Sequence, residues 1–595
     1  MKFLKNPFFI ILSVWLVLLI QAALLGYLNH LDDRLRGEDP IGYFVYLPSI
    51  IFDHDVDFSN NYQHIYGYKE GDVNAYAYRK QSKTGYYDNP WSIGPAIAWS
   101  PFYLLAHGIG NASNLILGTD YLNDGYSGLY SRFIMIACSI YVLFGCFFCY
   151  LFCCYFIPKP YALGATIIVL LGSQLTYYNW SWLPMSHSLS FCFTALYLML
   201  YKRLGTHPAT ALSAGIMILI RWQNALFLIP QICINIYTLY INLKKKHYNA
   251  FQLFFSKNAL FALVVIVSFI PQSYTWKKIY GSFLTVPQRL GHAASDGSVF
   301  NFSELSNLVN VLFHLDHGLF SWHPLLLLGL IGICFAVKNK LPWSGWLLVL
   351  FMAQWVLNGV WGVWSGGGFG QRKFTNLLPV FAVGLGYLML HLKSRVRLFQ
   401  SLMVVIGCLV IWNGIFQFQY FHNLVPENGP LLVHEYIWDK FNIVSAYKAN
   451  EKAKKAIAQL TYYNNKYEFV QLSKLAFQTY PYNRKVISSY VFSTELTSSR
   501  NQRKIALQKW QQMAPKNVMA KISRIRLEYS KKNYNQVTTL LNDLNGRQFD
   551  GLSRQKSNEL FAYLEYNFNT KQPEILRKDL YYQLFRIYLK SELYK

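Results

Sequence analysis

Carboxylates and cations that could do chemistry gather in a few short stretches of this sequence. The first outward stretch after the leading apolar run reads Leu31-Asp-Asp-Arg-Leu-Arg-Gly-Glu38-Asp39-Pro40. An acid held about ten residues beyond a membrane span, on its outer side, can take the proton of a hydroxyl, which makes Asp39, with Glu38 beside it, the catalytic candidate. Asp39 just before Pro40 also suits a helix N-cap with proline at the first helical position. Capping and proton transfer are compatible roles for one carboxylate.

Four further groups accompany it. Trp364-Ser-Gly-Gly-Gly-Phe-Gly-Gln371-Arg372 is a glycine-rich turn that ends on a guanidinium; glycine lets backbone approach a ligand closely and arginine suits a phosphate. Arg221 ends another apolar run and can grip a second phosphate oxygen, while Gln371, Asp88, His187 and His323 complete the substrate-binding candidates. Asp53-His-Asp55-Val-Asp57 opens like a calcium loop, but Phe58 stands at the glycine position and His64 at the bidentate glutamate position. A divalent metal on Asp53, Asp55 and Asp57 stays open. The second large loop adds His292, His314, Asp316 and His317, an acid/base group or an interfacial polar turn.

The elements that must position these residues are membrane helices. Hydrophobic residues make up 53 % of the 595 and charged residues 14 %, which is membrane composition. Apolar runs fall at about 7–28, 127–156, 160–179, 186–201, 206–221, 223–242, 257–275, 321–337, 343–362, 373–391 and 398–419, eleven spans of the length that crosses hydrocarbon. Each connection on one side is basic: Lys159, Lys202 and Arg203, Lys244 to Lys246, Lys338 and Lys340, then Lys393, Arg395 and Arg397. The positive-inside rule makes that side cytoplasmic, and it accounts for part of the net charge of +26 without nucleic acid. The parity holds when 93–110, with Pro95 and Pro101, lies in the interface instead of crossing. Residues 41–52 likewise suit a helix on the outer leaflet.

The N-terminus is then cytoplasmic, and loops 29–126 and 276–320 and everything after about 420 lie outside. Arg132, His187, Arg221, Asn224, His323, Asn358, Arg372 and Lys373 fall at the outer ends of their spans. Intramembrane polar groups mark function by default, and a polar collection at one face favours an enzyme using a lipid-borne donor over a transporter, which needs polar groups at the midplane. All nine cysteines sit in apolar runs; Cys146-x-x-Cys149 reads as lipid-facing packing, not as redox chemistry.

Residues 421–595 are polar and patterned for helices. Pro481-Tyr-Asn483 recurs as Pro515-Lys-Asn517, 515 − 481 = 34 residues on, each after an amphipathic stretch (467–479 and 501–513). That is the tetratricopeptide (TPR) period; an irregular helical bundle is the alternative. The chain thus divides into a membrane domain, 1–420, and a helical, TPR-like domain, 421–595.

Taken together, one span, a large outer loop opening with Glu38-Asp39, the Asn89-Pro90-Trp91 segment before the second span, and Trp364 to Arg372 before a later one resemble the GT-C superfamily. The likeness is to bacterial members similar to protein O-mannosyltransferases and the aminoarabinose transferase of lipid A, over about residues 1–420. It implies an all-α polytopic bundle, a polyprenyl-phosphate sugar donor, an inverting single displacement and a catalytic carboxylate in the first outer loop, a role that falls by position to Asp39. This chain has Pro40 straight after the acid, and Asn89 where a lysine often precedes the proline. The expected enzyme is a glycosyltransferase of the bacterial inner membrane, working at its outer face on a glycan, lipid or protein acceptor. A flippase for a lipid-linked glycan and a non-catalytic membrane scaffold are the alternatives; convergence of Asp39, Arg221 and Arg372 separates the enzyme from the scaffold.

Overall fold

Every regular element is a helix among the described residues of the computed structural model, apart from two isolated bridges, Gln81 with Tyr87 and Phe300 with Trp361. Described are residues 6–25, 37–66, 81–180, 184–245, 248–285 and 300–594, less 428, 498–499, 515–516, 545–546, 548, 550–553 and 570–577. Lys246, His292 and Pro515 lie outside them. The chain forms two compact units, Met1–Gly414 and Ile415–Lys595.

Among the described residues of the first unit and its junction, five helices are long and apolar enough to cross a membrane: Pro7–Leu24, Gly128–Cys153, Trp222–Lys244, Arg372–Leu392 and Val396–Phe421. The pair Gln252–Ser268 and Ile270–Tyr280, bent by 43°, makes a sixth. That is fewer than the eleven expected. The other apolar runs fold as shorter or broken helices. Pro208–Ile220 has 13 residues, about 20 Å at 1.5 Å per residue, short of the ~30 Å hydrocarbon core. The run 160–179 breaks at Ser173 between Lys159–Gly172 and Leu175–Trp180, and 321–337 breaks at His323-Pro324. Such breaks survive in a membrane protein only where protein buries them or a cavity accepts them.

Two further expectations are corrected. Residues 41–49 are buried without exception; Ile41 and Tyr43 to Leu47 pack in one core with Trp99, Tyr103 and Tyr130 instead of lying on a leaflet. Cys146 and Cys149 are buried in the main core and do not face lipid. The stretch 93–110 belongs to a longer helix, Gly94–Leu117.

The helix Arg372–Leu392 is the most enclosed of the five. It packs backbone to backbone on Leu325–Lys338, because a Cβ on Gly332 would stand 1.9 Å from the Gly384 carbonyl oxygen and one on Gly384 would stand 2.0 Å from that of Gly329. Small residues at such a seam let membrane helices close on each other.

The basic connections gather at one end of this unit. Lys202 lies 4.7 Å over the Trp343 ring and 5.4 Å over Phe156, and Lys393 lies 6.0 Å over Tyr161. Lys202 and His187 occupy opposite ends of Ser186–Leu204, so the basic connections and the polar residues named above sit at opposite ends of the bundle.

In the second unit, the helices Lys466–Thr479 and Arg484–Leu496 are followed by Arg500–Met513 and Val518–Ser530. The second pair repeats the first at 500 − 466 = 34 and 518 − 484 = 34 residues. Asn483 caps its helix by accepting from the backbone N–H of Lys485 at 2.9 Å, and Asn517 does the same from Ala520 at 2.9 Å.

Candidate functional site

The helix that carries Asp39 begins at Glu38, after Gly37 at φ 88°, and has no side-chain cap. Asp39 is therefore not the N-cap expected from Pro40; it sits in the first turn, and its carboxylate reaches elsewhere. Trp91 Nε1 donates to Asp39 Oδ1 at 3.0 Å and the Arg372 guanidinium pairs with Oδ2 at 2.9 Å. The indole packs against the helix where Gly42 leaves room, since a Cβ there would fall 2.1 Å from the Trp91 ring. Asn89 Nδ2 donates to Gly42 O at 3.0 Å and Tyr46 OH to Trp91 O at 2.8 Å. The Asn89-Pro90-Trp91 motif is thus a clamp that orients the acid.

Arg372 and Lys373 open the central helix, and the glycine-rich turn folds over them. Gly366, Gly368 and Gly370 have φ of 63°, 97° and 66°, the left-handed region that glycine enters without penalty. A Cβ on Gly366 would stand 3.4 Å from Lys373 Cε, and one on Gly368 3.5 Å from Arg372 Cδ. Lys373 Nζ donates to the Val363 carbonyl and lies 5.7 Å from the Trp361 ring centre.

Arg221 arrives where Pro208–Ile220 gives way to a 3-10 turn, Trp222–Leu228. It donates to His187 Nδ1 at 2.7 Å and to Gln223 Oε1 at 3.2 Å, and Gln223 Nε2 donates to the Lys373 carbonyl at 3.1 Å. The imidazole nitrogen that accepts from a guanidinium carries no proton, so His187 serves as a neutral strut. Its ring centre is 4.9 Å from that of Tyr178, whose hydroxyl donates to Phe369 O at 3.2 Å. Tyr43, held by Ser186 Oγ at 3.1 Å, has its phenol pushed up by burial against the pull of Arg221.

Asp39, Arg221, Arg372, Lys373 and His187 therefore converge from four separate stretches of chain. Asp39 meets this group through its ion pair with Arg372. Two guanidiniums and a lysine amine gathered here suit an oxyanion. An amide network backs it: Asn376 Nδ2 donates to Asn224 Oδ1 at 2.9 Å and Gln354 Oε1 at 3.1 Å, and Gln354 Nε2 to Asn358 Oδ1 at 3.1 Å.

The remaining candidates are placed as follows. Glu38 is exposed at the helix start. Asp88 accepts from the Tyr280 hydroxyl. Gln371 is buried and its amide donates to His317 O at 3.0 Å and Trp364 O at 3.1 Å, pinning the base of the glycine turn. His323 is buried under Gly370 and bonds Asn413 at 3.2 Å. Asp53 accepts from Asn60 and Asn61, Asp55 from Ser49, and Asp57 from the Ser59 N–H; among the described residues no group of three or more His, Cys, Asp or Glu could hold a metal. Tyr43, Tyr178 and Gln223 were not legible as site residues, because nothing near them in sequence distinguishes them from core.

No family model matches the chain, and no curated protein or solved structure does either.

Proposed function

We propose that this chain is a membrane glycosyltransferase that moves a sugar from a polyprenyl-phosphate donor to an acceptor hydroxyl at the outer face of the bacterial inner membrane. The observation that carries the reading is the junction of Asp39 with Arg372, with Arg221 and Lys373 gathered beside it. A lipid phosphate is an oxyanion that becomes more negative as its sugar leaves, and fixed cations aimed at that charge favour the transition state.

In the reaction, the acceptor oxygen attacks C1 of the sugar and the bond from C1 to the phosphate oxygen breaks in one inverting displacement. The electron pair stays on the lipid phosphate, held by Arg372, Arg221 and Lys373, and the acceptor proton passes to Asp39. Arriving phosphate competes with Asp39 for Arg372, so donor binding frees the carboxylate for the base role. Loop 29–126 and the polar ends of the bundle face the periplasm, and the basic connections face the cytoplasm. The hairpins that repeat every 34 residues support a TPR-like array that presents the acceptor, as helical repeats form concave surfaces.

Transfer from a labelled polyprenyl-phosphate sugar, measured in vesicles with wild type beside Asp39→Asn, tests the reading. A general base contributes about 10²- to 10⁴-fold, so the variant should lose at least about a hundredfold in rate while still binding donor. Full activity in Asp39→Asn removes Asp39 from the mechanism; lipid translocation without sugar transfer by wild type would make the protein a carrier.

A further inference from the structure

The segment that follows the last apolar helix has its polarity reversed. Over residues 433–444 the chain forms a π-turn, His434–Trp438, one short turn, Asp439–Phe441, and the start of the helix Ile443–Tyr462. Its charged side chains point inward: Glu435 is 1 % exposed, Asp439 0 % and Lys440 4 %. Its apolar side chains point outward: Val433 is 61 % exposed, Trp438 55 %, Phe441 75 % and Val444 61 %. Each inward charge is met. Arg484 donates to Glu435 through Nε at 2.5 Å and Nη2 at 2.8 Å, the Tyr480 hydroxyl donates to Asp439 at 2.6 Å, and Lys440 donates to the Tyr436 carbonyl at 2.8 Å. In water this arrangement gains nothing, since a helix normally turns its charges out and its apolar face in.

Position explains the reversal. The helix Val396–Phe421 begins beside Arg395 and Arg397, which mark one membrane surface. About 20 residues of helix cross the hydrocarbon, which brings residues 416–419 to the other surface. The reversed segment packs on those residues: Gln419 Nε2 donates to the Glu435 carbonyl at 3.0 Å, Lys440 Nζ lies 4.1 Å over the Phe416 ring, and the Tyr436 and Phe416 ring centres are 6.4 Å apart. The same helix exposes Val404 (67 %) and Ile411 (64 %), apolar side chains that suit lipid.

We infer that Val433, Trp438, Phe441 and Val444 form a membrane-interface anchor, seating the start of the C-terminal unit in the headgroup layer of the bilayer that the last helix leaves. Trp at the wet edge and Phe deeper is the order that amphipathic rings adopt at such a boundary. This inference does not depend on the proposed activity.

The test uses the full chain with its nine cysteines replaced and one nitroxide on Phe441→Cys, in phosphatidylcholine and phosphatidylglycerol vesicles. The label's collisions with oxygen, which concentrates in lipid, are compared with those of a water-soluble nickel chelate. Tyr467→Cys, on the exposed and polar part of the next helix, is the control. The oxygen-to-nickel ratio should be several-fold higher at 441 than at 467, and Trp438→Cys, labelled in the same way, should fall between them. Equal ratios at 441 and 467 would place the patch in water and overturn the inference. A label at 441 shielded from both reagents would overturn it as well, because protein, a second copy or another partner, would then cover the patch.

Discussion

Asp39 does not cap its helix, and both carboxylate oxygens are engaged at a distance, one by the Trp91 indole and one by the Arg372 guanidinium. Arg372 is thus both a phosphate ligand and the partner that orients the base. Arg372→Ala removes both roles, whereas Arg372→Lys keeps the charge and loses the planar fork. Steady-state transfer should show the Ala variant losing more than a hundredfold in kcat/KM, at about 1.4 kcal/mol per tenfold, and the Lys variant recovering part of it through KM. Equal loss in both would make geometry, not charge, the contribution of Arg372. A second residue-scale prediction concerns Lys440, whose ammonium is pushed down to about 7 by burial despite the opposing pull of Asp439 and Glu435. The unfolded chain keeps that proton up to the ordinary lysine range, so stability is gained as pH rises from about 7 toward 10.5 and is absent below. The urea midpoint, followed by a fluorophore on Tyr467→Cys, should rise across that window, and Lys440→Met should flatten the rise. At this scale the sequence was readable where a side chain is out of place for its surroundings. Arg221 and Arg372 stood out at the ends of apolar runs and Asp39 beside Glu38 in the first outer loop, but Tyr43 and Tyr178 look like any aromatic in a membrane core.

Arg372 and Lys373 take their depth from the helix that they open, and that helix takes its depth from its seam with Leu325–Lys338. Gly332 and Gly384 face each other there with no room for a methyl group. Gly332→Ala forces the pair apart, costing about 1–3 kcal/mol by overpacking, and lifts the two cations relative to Asp39. The variant should unfold at lower temperature in detergent and lose transfer activity, while Gly345→Ala, where a Cβ meets nothing within 4 Å, should match wild type in both assays. Hydropathy located the apolar runs without locating their breaks, because a window of membrane length averages across Gly172-Ser173, His323-Pro324 and the 3-10 turn after Arg221. Those breaks are where several polar side chains reach the site region. The 34-residue offset was legible for a different reason: its marker is a local cap, Asn483 or Asn517 at a helix start, which needs no tertiary context to be read.

At the scale of the whole molecule, the proposed orientation rests on two features. Lys159, Lys202, Lys338 and Lys393 follow the charge rule for cytoplasmic connections, and the contacts of Lys202 with Trp343 and of Lys393 with Tyr161 gather that end of the bundle. Asp39, Arg221 and Arg372 meet at the other. A donor sugar on the outer leaflet can reach only one of these ends, so the mechanism fails if the orientation is reversed, whatever the site geometry. Single cysteines at exposed positions decide it: Lys83→Cys in the first large loop, Lys338→Cys in a basic connection and Tyr467→Cys in the C-terminal unit, each in the chain cleared of native cysteine. A membrane-impermeant maleimide applied to cells with only the outer membrane opened should label positions 83 and 467 at once, and 338 only after the inner membrane is permeabilised. Labelling of 338 alone in sealed cells would put Asp39 on the cytoplasmic side, where nucleotide sugars would replace lipid-linked ones as the accessible donors. Labelling of 83 without 467 would mean that the number of crossings between them is odd and that one of the short apolar helices stops within the bilayer, leaving the site outside but moving the C-terminal unit to the cytoplasm, away from any periplasmic acceptor.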